Sequence, residues 1–382
     1  MTENRNKKRN KKKTVSYFDY NLLFIIIFLI GFGLVMLYST SSYTAQMKFG
    51  SSTYYLKKQI IAYMLGFAAM FLLIFVDYHV WKKFALWIYI GSLLSVLVVL
   101  SPLGVTLNGA RRWINIGIGT VQPAEIVKLG LIIFLAFCID RMSKGLRKAG
   151  IYIKLMLFVL VAVGMIFVIT SNLSSAIIIL GIGFVMLFVA SPKYSHYVYT
   201  ILAGAMCGGL FLLVEKLVLK SFRFNRFSVW LNPEEYAQSG GFQVLQALYA
   251  IGSGGILGKG LGNSIQKLGF VPEAQNDMIF TIICEELGLI GALAVIALFV
   301  FMIWRFMIIA NNAPDLFGAM LVVGVLAHIS LQVVLNIAVV TNTIPNTGVT
   351  LPLISYGGTS VLFIMCELGL VLSVSRRIRY EE

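Results

Sequence analysis

The stretch MIFTIICEELGLIGALAVIALFVFMI, residues 278–303, decides the fold. Apart from Glu285 and Glu286 it carries no charge. It exceeds the roughly 20 apolar residues that span a hydrocarbon core of about 30 Å. Lipid offers no hydrogen-bond partners, so its backbone must be helical. Its length predicts a tilted or kinked helix. Working outward, similar apolar runs fall at residues 21–39, 60–75, 84–100, 126–139, 154–169, 174–190, 198–214, 316–340 and 350–374. The expectation is an all-α polytopic membrane protein of about ten transmembrane helices.

Composition agrees. Of 382 residues, 59% are hydrophobic and 12% charged, and the mean hydropathy is +0.87. A soluble domain with that balance would expose large apolar surfaces to water. The net charge is +15. No basic recognition module is present, so nucleic acid is excluded as a partner. Positive charge instead collects at cytoplasmic helix ends. With the N-terminus inside, most of the 31 Lys and Arg fall on inner segments. The predicted orientation is N-in/C-in, with a large extracytoplasmic loop between helices 7 and 8.

Three segments follow: a disordered basic cytoplasmic tail over 1–18, one transmembrane domain over 19–375, and a short cytoplasmic tail over 376–382. The first apolar run lacks a small-residue cleavage site and reads as a membrane helix, not a removed signal peptide. Cys138, Cys207, Cys284 and Cys366 all lie in apolar runs with no CxxC spacing, so they read as small core residues. His79, His196 and His328 are too scattered for a metal-ligand motif. The long outer segments, 101–124 and 215–276, place the chemistry outside, because long ordered loops are uncommon unless functional.

Several clusters carry candidate chemistry. Arg111 and Arg112 stand beside Trp113; a guanidinium fork suits phosphate, although arginines also snorkel to the headgroups. Glu125 and Lys128 share a helix face at i,i+3 after Pro123, as a functional pair or a structural one. Arg226 lies in a basic, aromatic stretch that fits an interfacial element. The glycine-dense run 250–262 matches no nucleotide motif. Asp277 stands where a polar segment meets the long apolar helix. It reads as a helix cap or as a partly desolvated base. Glu285 and Glu286 lie about 12 Å deeper and demand partners in the bundle. Pro352 and the Gly357-Gly358 pair predict a break in the last helix, near Ser355.

These residues together resemble the shape, elongation, division and sporulation family of membrane glycosyltransferases. The resemblance covers nearly the whole chain after the basic tail. It rests on Gly109-Ala110-Arg111-Arg112-Trp113, Gln122-Pro123-Ala124-Glu125, Gly252-Ser253-Gly254-Gly255, Gly260-Leu261-Gly262-Asn263-Ser264, Gln266-Lys267-Leu268, Pro272-Glu273, Glu285-Glu286-Leu287-Gly288, Leu351-Pro352 and Ser355-Tyr356-Gly357-Gly358. Pro272-Glu273-Ala274-Gln275 resembles the division and sporulation branch more than the rod-elongation branch. Asn172 stands where the family usually has Asp, and Ala338 where Gly is common.

The resemblance implies a peptidoglycan glycosyltransferase that polymerises lipid II on the outer face of a bacterial cytoplasmic membrane. It implies Asp277 as the essential acid, with Glu125 and Lys128 facing the same outer cavity. Arg111, Arg112, Arg226 and Lys267 are the candidate cations for the departing pyrophosphate, and Glu285, Glu286, Ser355, Gly357 and Gly358 the supporting residues. Implied partners are lipid II, the growing lipid-linked glycan strand, a class B penicillin-binding protein transpeptidase and other divisome or elongasome membrane proteins. No cofactor is required by the sequence; a divalent cation, Mg or Mn, is compatible with it. The rival readings are a lipid II flippase, an elongation polymerase and a scaffold that recruits a transpeptidase.

Overall fold

The computed structural model describes residues 14–107, 109–117, 119–214, 222–238 and 240–381. Most of the predicted basic tail, residues 1–13, lies outside them. Strand β1 (Thr14–Ser16) precedes α1 (Tyr20–Phe49), α2 (Tyr54–Phe75) and α3 (His79–Val98). A small sheet follows: β2 (Gly104–Leu107), β3 (Ala110–Asn115) and β4 (Thr120–Val121). Then come α4 (Pro123–Met142), α5 (Ala149–Thr170), α6 (Leu173–Ala190) and α7 (Tyr194–Val214). The outer segment carries α8 (Phe222–Leu231) and α9 (Gly241–Gly254). The chain closes with α10 (Ile279–Asn311), α11 (Leu316–Val340), α12 (Gly358–Ser375) and β5 (Arg379–Glu381).

Among the described residues, eight helices are long and apolar enough to cross a membrane: α1, α2, α3, α5, α6, α10, α11 and α12. Helices α4 and α7 occupy the two other predicted spans. Large apolar side chains such as Phe24, Leu72, Trp87 and Val168 face outward. In water they would oppose solubility; against lipid they cost nothing. Helices α4 and α11 are buried along most of their length.

The structure corrects three boundaries. Residues 14–16 are not disordered: they pair antiparallel with 379–381. Asp19 then caps α1, accepting from Leu22 N at 2.9 Å, and receives three bonds from Arg305. The outer segment 101–124 is not a plain loop. Its three strands pair antiparallel, so the fold is all-α in the membrane and has a small β element outside. Helix α4 starts at Pro123 as expected, where a missing N–H costs nothing, so Glu125 falls in its first turn. The last span starts at Gly358, later than the expected residue 350.

Between α11 and α12 the backbone is irregular, and the bundle satisfies it. Tyr63 of α2 donates to Leu353 O at 2.8 Å. Gln59 donates to Ser355 O at 3.4 Å and accepts from Gly357 N at 3.2 Å. Ser355 Oγ accepts from Leu351 N at 2.8 Å. On the other side, a Cβ on Gly33 of α1 would sit 2.6 Å from Leu353 O, so only glycine lets α1 come this close.

Helix α10 is broken, as its length predicted. Gly288 adopts φ 66° and ψ −166°. The glycine-dense run closes the gap: Lys259 N and Gly260 N donate to Glu285 O and Glu286 O, at 3.0 and 2.9 Å. Leu289 N and Ile290 N donate back to Gly255 O and Ile256 O, at 2.9 and 3.2 Å. These glycines therefore repair a helix.

Candidate functional site

Asp277 lies just outside α10, one residue before Met278, its N-cap. It is half-buried, and its Oδ1 is buried without a hydrogen-bond partner among the described residues. Burial pushes its carboxyl from 3.8 up to about 7, and the nearby Glu273 adds to the rise. Two elements fix its position. Asn336 of α11 donates to Asp277 O at 2.7 Å and to Val349 O at 2.6 Å. Gly348 lies alongside, its would-be Cβ 3.5 Å from Asp277 Oδ2. Asp277 does not cap α10, for no cap bond from a side chain is formed there.

The segment 342–348 is itself held from the outer side. Trp230 of α8 donates to Asn342 O at 2.9 Å, and Asn342 donates back to Trp230 O at 3.3 Å. Arg226 donates to Asn346 O at 3.1 Å. Asn346 donates to Gln243 of α9 at 3.0 Å. Ser174, at the N-terminus of α6, donates to Thr347 O. So α6, α8, α9 and α11 converge on one stretch of backbone beside Asp277.

Glu125 and Lys128 form an ion pair at 2.7 Å, with side chains 6% and 2% exposed. Glu125 Oε2 is buried with no partner among the described residues. The pair is placed at the start of α4, on the same side of the bundle as the start of α6 and the end of α5.

The four candidate cations divide. Arg111 is exposed on β3 and donates to Ser101 O at 2.5 Å. Arg226 is exposed on α8. Arg112 donates to Thr170 O at 3.1 Å and Ser171 O at 2.8 Å. It thereby caps the negative end of α5. Lys267 is buried, and its ammonium meets Glu286 at 2.7 Å, Ser39 Oγ at 2.9 Å and Gly262 O at 2.7 Å. Those three acceptors use all its donors. Its geometry is that of an internal bridge rather than an open phosphate ligand.

Glu285 and Glu286 have the partners the sequence demanded. Glu285 accepts from Lys259 at 2.7 Å, Ser264 Oγ at 2.5 Å and Ile265 N at 3.2 Å. Glu286 accepts from Lys267 and from Ser39 Oγ at 2.7 Å. Together they staple residues 259–267 to α10. Gly357 and Gly358 begin α12, and Ser355 closes a turn with Leu351. Sequence reasoning missed Asn342, Gln59 and Tyr63. Only Tyr63 stands inside an apolar run; Gln59 and Asn342 lie just outside such runs, where a polar residue gives no signal.

The chain matches the FtsW/RodA/SpoVE family, described as cell cycle protein, over residues 20–380. It is 38% identical to stage V sporulation protein E of Bacillus subtilis, over 95% of this chain and 98% of that one. It is 34% identical to a probable peptidoglycan glycosyltransferase FtsW of Geobacter sp., over 96% and 99%. Among solved structures, the rod shape determining protein RodA of Thermus thermophilus superposes with TM-score 0.68 at 28% identity, covering 96% of this chain and 98% of that one. A chain from a peptidoglycan synthase complex that coordinates polymerization and crosslinking superposes with TM-score 0.77 at 28% identity, covering 94% and 98%.

Proposed function

The chain belongs to the FtsW/RodA/SpoVE family of cell cycle proteins, and we propose that it is a peptidoglycan glycosyltransferase polymerising lipid II into β-1,4-linked glycan strands. Its place is the bacterial cytoplasmic membrane, with the chemistry on the outer face. The relatives named FtsW and stage V sporulation protein E favour a division or sporulation role over elongation.

One observation carries the reading. A half-buried carboxyl, with an unpartnered oxygen, is held at about 7 beside a segment that four helices fix. A base poised near working pH is the effective choice for proton transfer. Asp277 takes the proton from the acceptor 4-hydroxyl. That oxygen attacks the donor anomeric carbon with inversion, and the bond to the pyrophosphate oxygen breaks. Undecaprenyl pyrophosphate leaves.

Negative charge grows on the departing pyrophosphate, and exposed guanidiniums suit it by bidentate bonding. Arg111 and Arg226 fill that role. Arg112 and Lys267 act through the fold, one on α5 and one on α10. Glu125 and Lys128, a buried ion pair at the start of α4, act through the fold as well. A divalent cation, Mg or Mn, fits this chemistry as a companion of the pyrophosphate. No group of three His, Cys, Asp or Glu gathers among the described residues to hold one beforehand.

A class B penicillin-binding protein transpeptidase is the proposed partner. The likeness to a chain of a synthase complex supports it. The test is polymerisation of lipid II by the purified protein with its partner, native against Asp277→Asn. Polymer from the native protein alone is the expected result. Equal polymer from both overturns the assignment of the base. No polymer from either, with lipid II crossing a bilayer, favours the flippase.

A further inference from the structure

Six exposed cations, Arg141, Lys144, Arg147, Lys148, Lys154 and Lys193, gather at one corner of the bundle. Helix α6 begins beside Asp277 and ends here, so the corner lies at the opposite end from the proposed chemistry. Arg141 is in the last turn of α4, and Lys144, Arg147 and Lys148 fill the turn after it. Lys154 is on the second turn of α5, and Lys193 precedes α7. Arg141 and Lys154 both lie close enough to Cys138 for their charges to act on it. No Asp or Glu occurs between Asp140 and Glu215. Asp140 itself is taken by Lys82 of α3 at 2.6 Å. None of the six meets an acid among the described residues. Elsewhere at this end of the bundle cations are matched: Arg305 meets Asp19 at 2.7 Å, and Arg377 meets Asp77 at 3.4 Å. A general excess of positive charge on inner segments therefore does not account for the corner.

The chain holds these charges in place. Lys148 N donates to Gly145 O at 2.8 Å, and Leu146 within that turn is buried. Ser191 donates to Leu146 O at 3.4 Å, so the turn before α7 rests on the turn before α5. The rings of Tyr152 and His196 stack with centroids 4.9 Å apart, and the Tyr152 and Thr200 hydroxyls meet at 2.9 Å. The starts of α5 and α7 therefore lie side by side. A helix start carries about half a positive charge and several unpaired N–H groups. Neither first turn holds an acid, and Lys148, the cap of α5, forms no side-chain cap bond. Two positive helix ends and the cations around them repel one another, and a bound anion relieves all of them together. The adjoining surface is apolar: Ile153 and Leu157 on α5, and Val198 and Leu202 on α7, are exposed.

We propose that this corner binds the phosphodiester headgroup of an anionic phospholipid, whose acyl chains lie along α5 and α7. Arginine takes two phosphate oxygens at once, and lysine adds a point charge. Basic sites between membrane helices recognise anionic headgroups by this chemistry. A free phosphate ion would leave the apolar ladder below the cations unused. An acidic protein would have to enter hydrocarbon to reach that ladder. A diacyl phosphate satisfies both parts at once. The headgroup supplies the negative charge that the chain withholds from residue 141 to residue 214, and it ties the starts of α5 and α7 together. Nothing in this site depends on which reaction Asp277 serves.

Native mass spectrometry of the purified protein with phosphatidylglycerol, or with phosphatidylcholine of the same chains, tests it. Phosphatidylglycerol should bind, and phosphatidylcholine should not displace it. Each cation near an anionic surface is worth about a factor of five, so Arg147→Gln, Lys148→Gln and Lys193→Gln together should weaken phosphatidylglycerol on the order of a hundredfold. The triple variant Lys83→Gln, Arg376→Gln and Arg379→Gln removes the same charge outside the corner and should weaken it far less. Equal losses in the two variants reduce the corner to general surface charge and overturn the site. Equal binding of the two lipids overturns it as well. Full displacement of the lipid by millimolar inorganic phosphate makes this a free-anion site and overturns the lipid assignment. A second measurement needs no variant: amide exchange of the native protein in bilayer discs of each lipid. Phosphatidylglycerol should slow the amides of Ala149, Gly150 and Ser195 relative to phosphatidylcholine. The same rates in both lipids overturn the proposal, even if neither variant folds.

Discussion

Replacing Asp277 by Asn removes the base and should also stabilise the protein. The native carboxyl ionises near 3.8 in the unfolded chain and about 7 in the folded one. The folded state therefore holds its proton longer, and stability falls as pH rises between those values. The full difference is worth about 4 kcal/mol at 1.36 kcal/mol per pH unit. Asp277 keeps some contact with solvent, which screens it, so about 2 kcal/mol is the working figure. Asparagine never ionises and escapes this cost. The gain is nearly absent at pH 4, grows with pH, and levels off above about 7. Thermal unfolding in detergent of the two proteins at pH 5 and pH 8 measures it. The expected result is a melting point a few degrees above native at pH 8, and a smaller excess at pH 5. A variant that melts below native at pH 8, or shows the same difference at both pH values, would refute the claim that the carboxyl is strained by burial.

The same carboxyl fixes the pH dependence of activity: kcat/KM for lipid II rises with pH, reaches half its limit at about 7 and then flattens. A profile already flat from pH 5 upward removes Asp277 from the titration. Gly288→Ala would set a Cβ 2.4 Å from Gly258 N and Ile256 O, at a φ of +66°. Backbone cannot yield cheaply there, so the melting point should drop by the equivalent of about 3 kcal/mol or more. Lys267→Met strands Glu286 in the bundle, a loss of about 3–5 kcal/mol, and the double variant Lys267→Met with Glu286→Leu should recover most of it. If the single variant melts like native, the bridge is not structural. Arg226→Ala should raise KM for lipid II and slow turnover, whereas the same change at Arg112 should act mainly through lower thermal stability.

The helices were legible because a hydrocarbon solvent leaves the backbone so little choice. The break in α10 was partly legible: length predicted a kink, but its place at Gly288 depended on residues 255–260, whose own pattern suited turns and the close approach of a ligand alike. The break before α12 was legible from Pro352 and the Gly357-Gly358 pair, but residues 350–357 are as apolar as a helix, so the span was expected to begin before it. Their irregular backbone is tolerated only because Gln59, Tyr63 and Ser355 take up its polar groups. Asp277 stood out from its position alone. Lys267 did not disclose its role, since a lysine just past a glycine-rich run looks the same whether it meets phosphate or a buried Glu286. The deciding partner is in another segment, and spacing within one segment cannot name it.

The splice at Gly288 bears on how the protein is made. Residues 255–260 leave the ribosome before α10 does, so the strand that mends the helix is ready when its two halves arrive. The closure spans a short length of chain and is entropically cheap. It should form early in assembly and open last. Amide exchange would then record a small island of slow protons at Lys259, Gly260, Leu289 and Ile290, outlasting the amides of segment 342–348 beside Asp277.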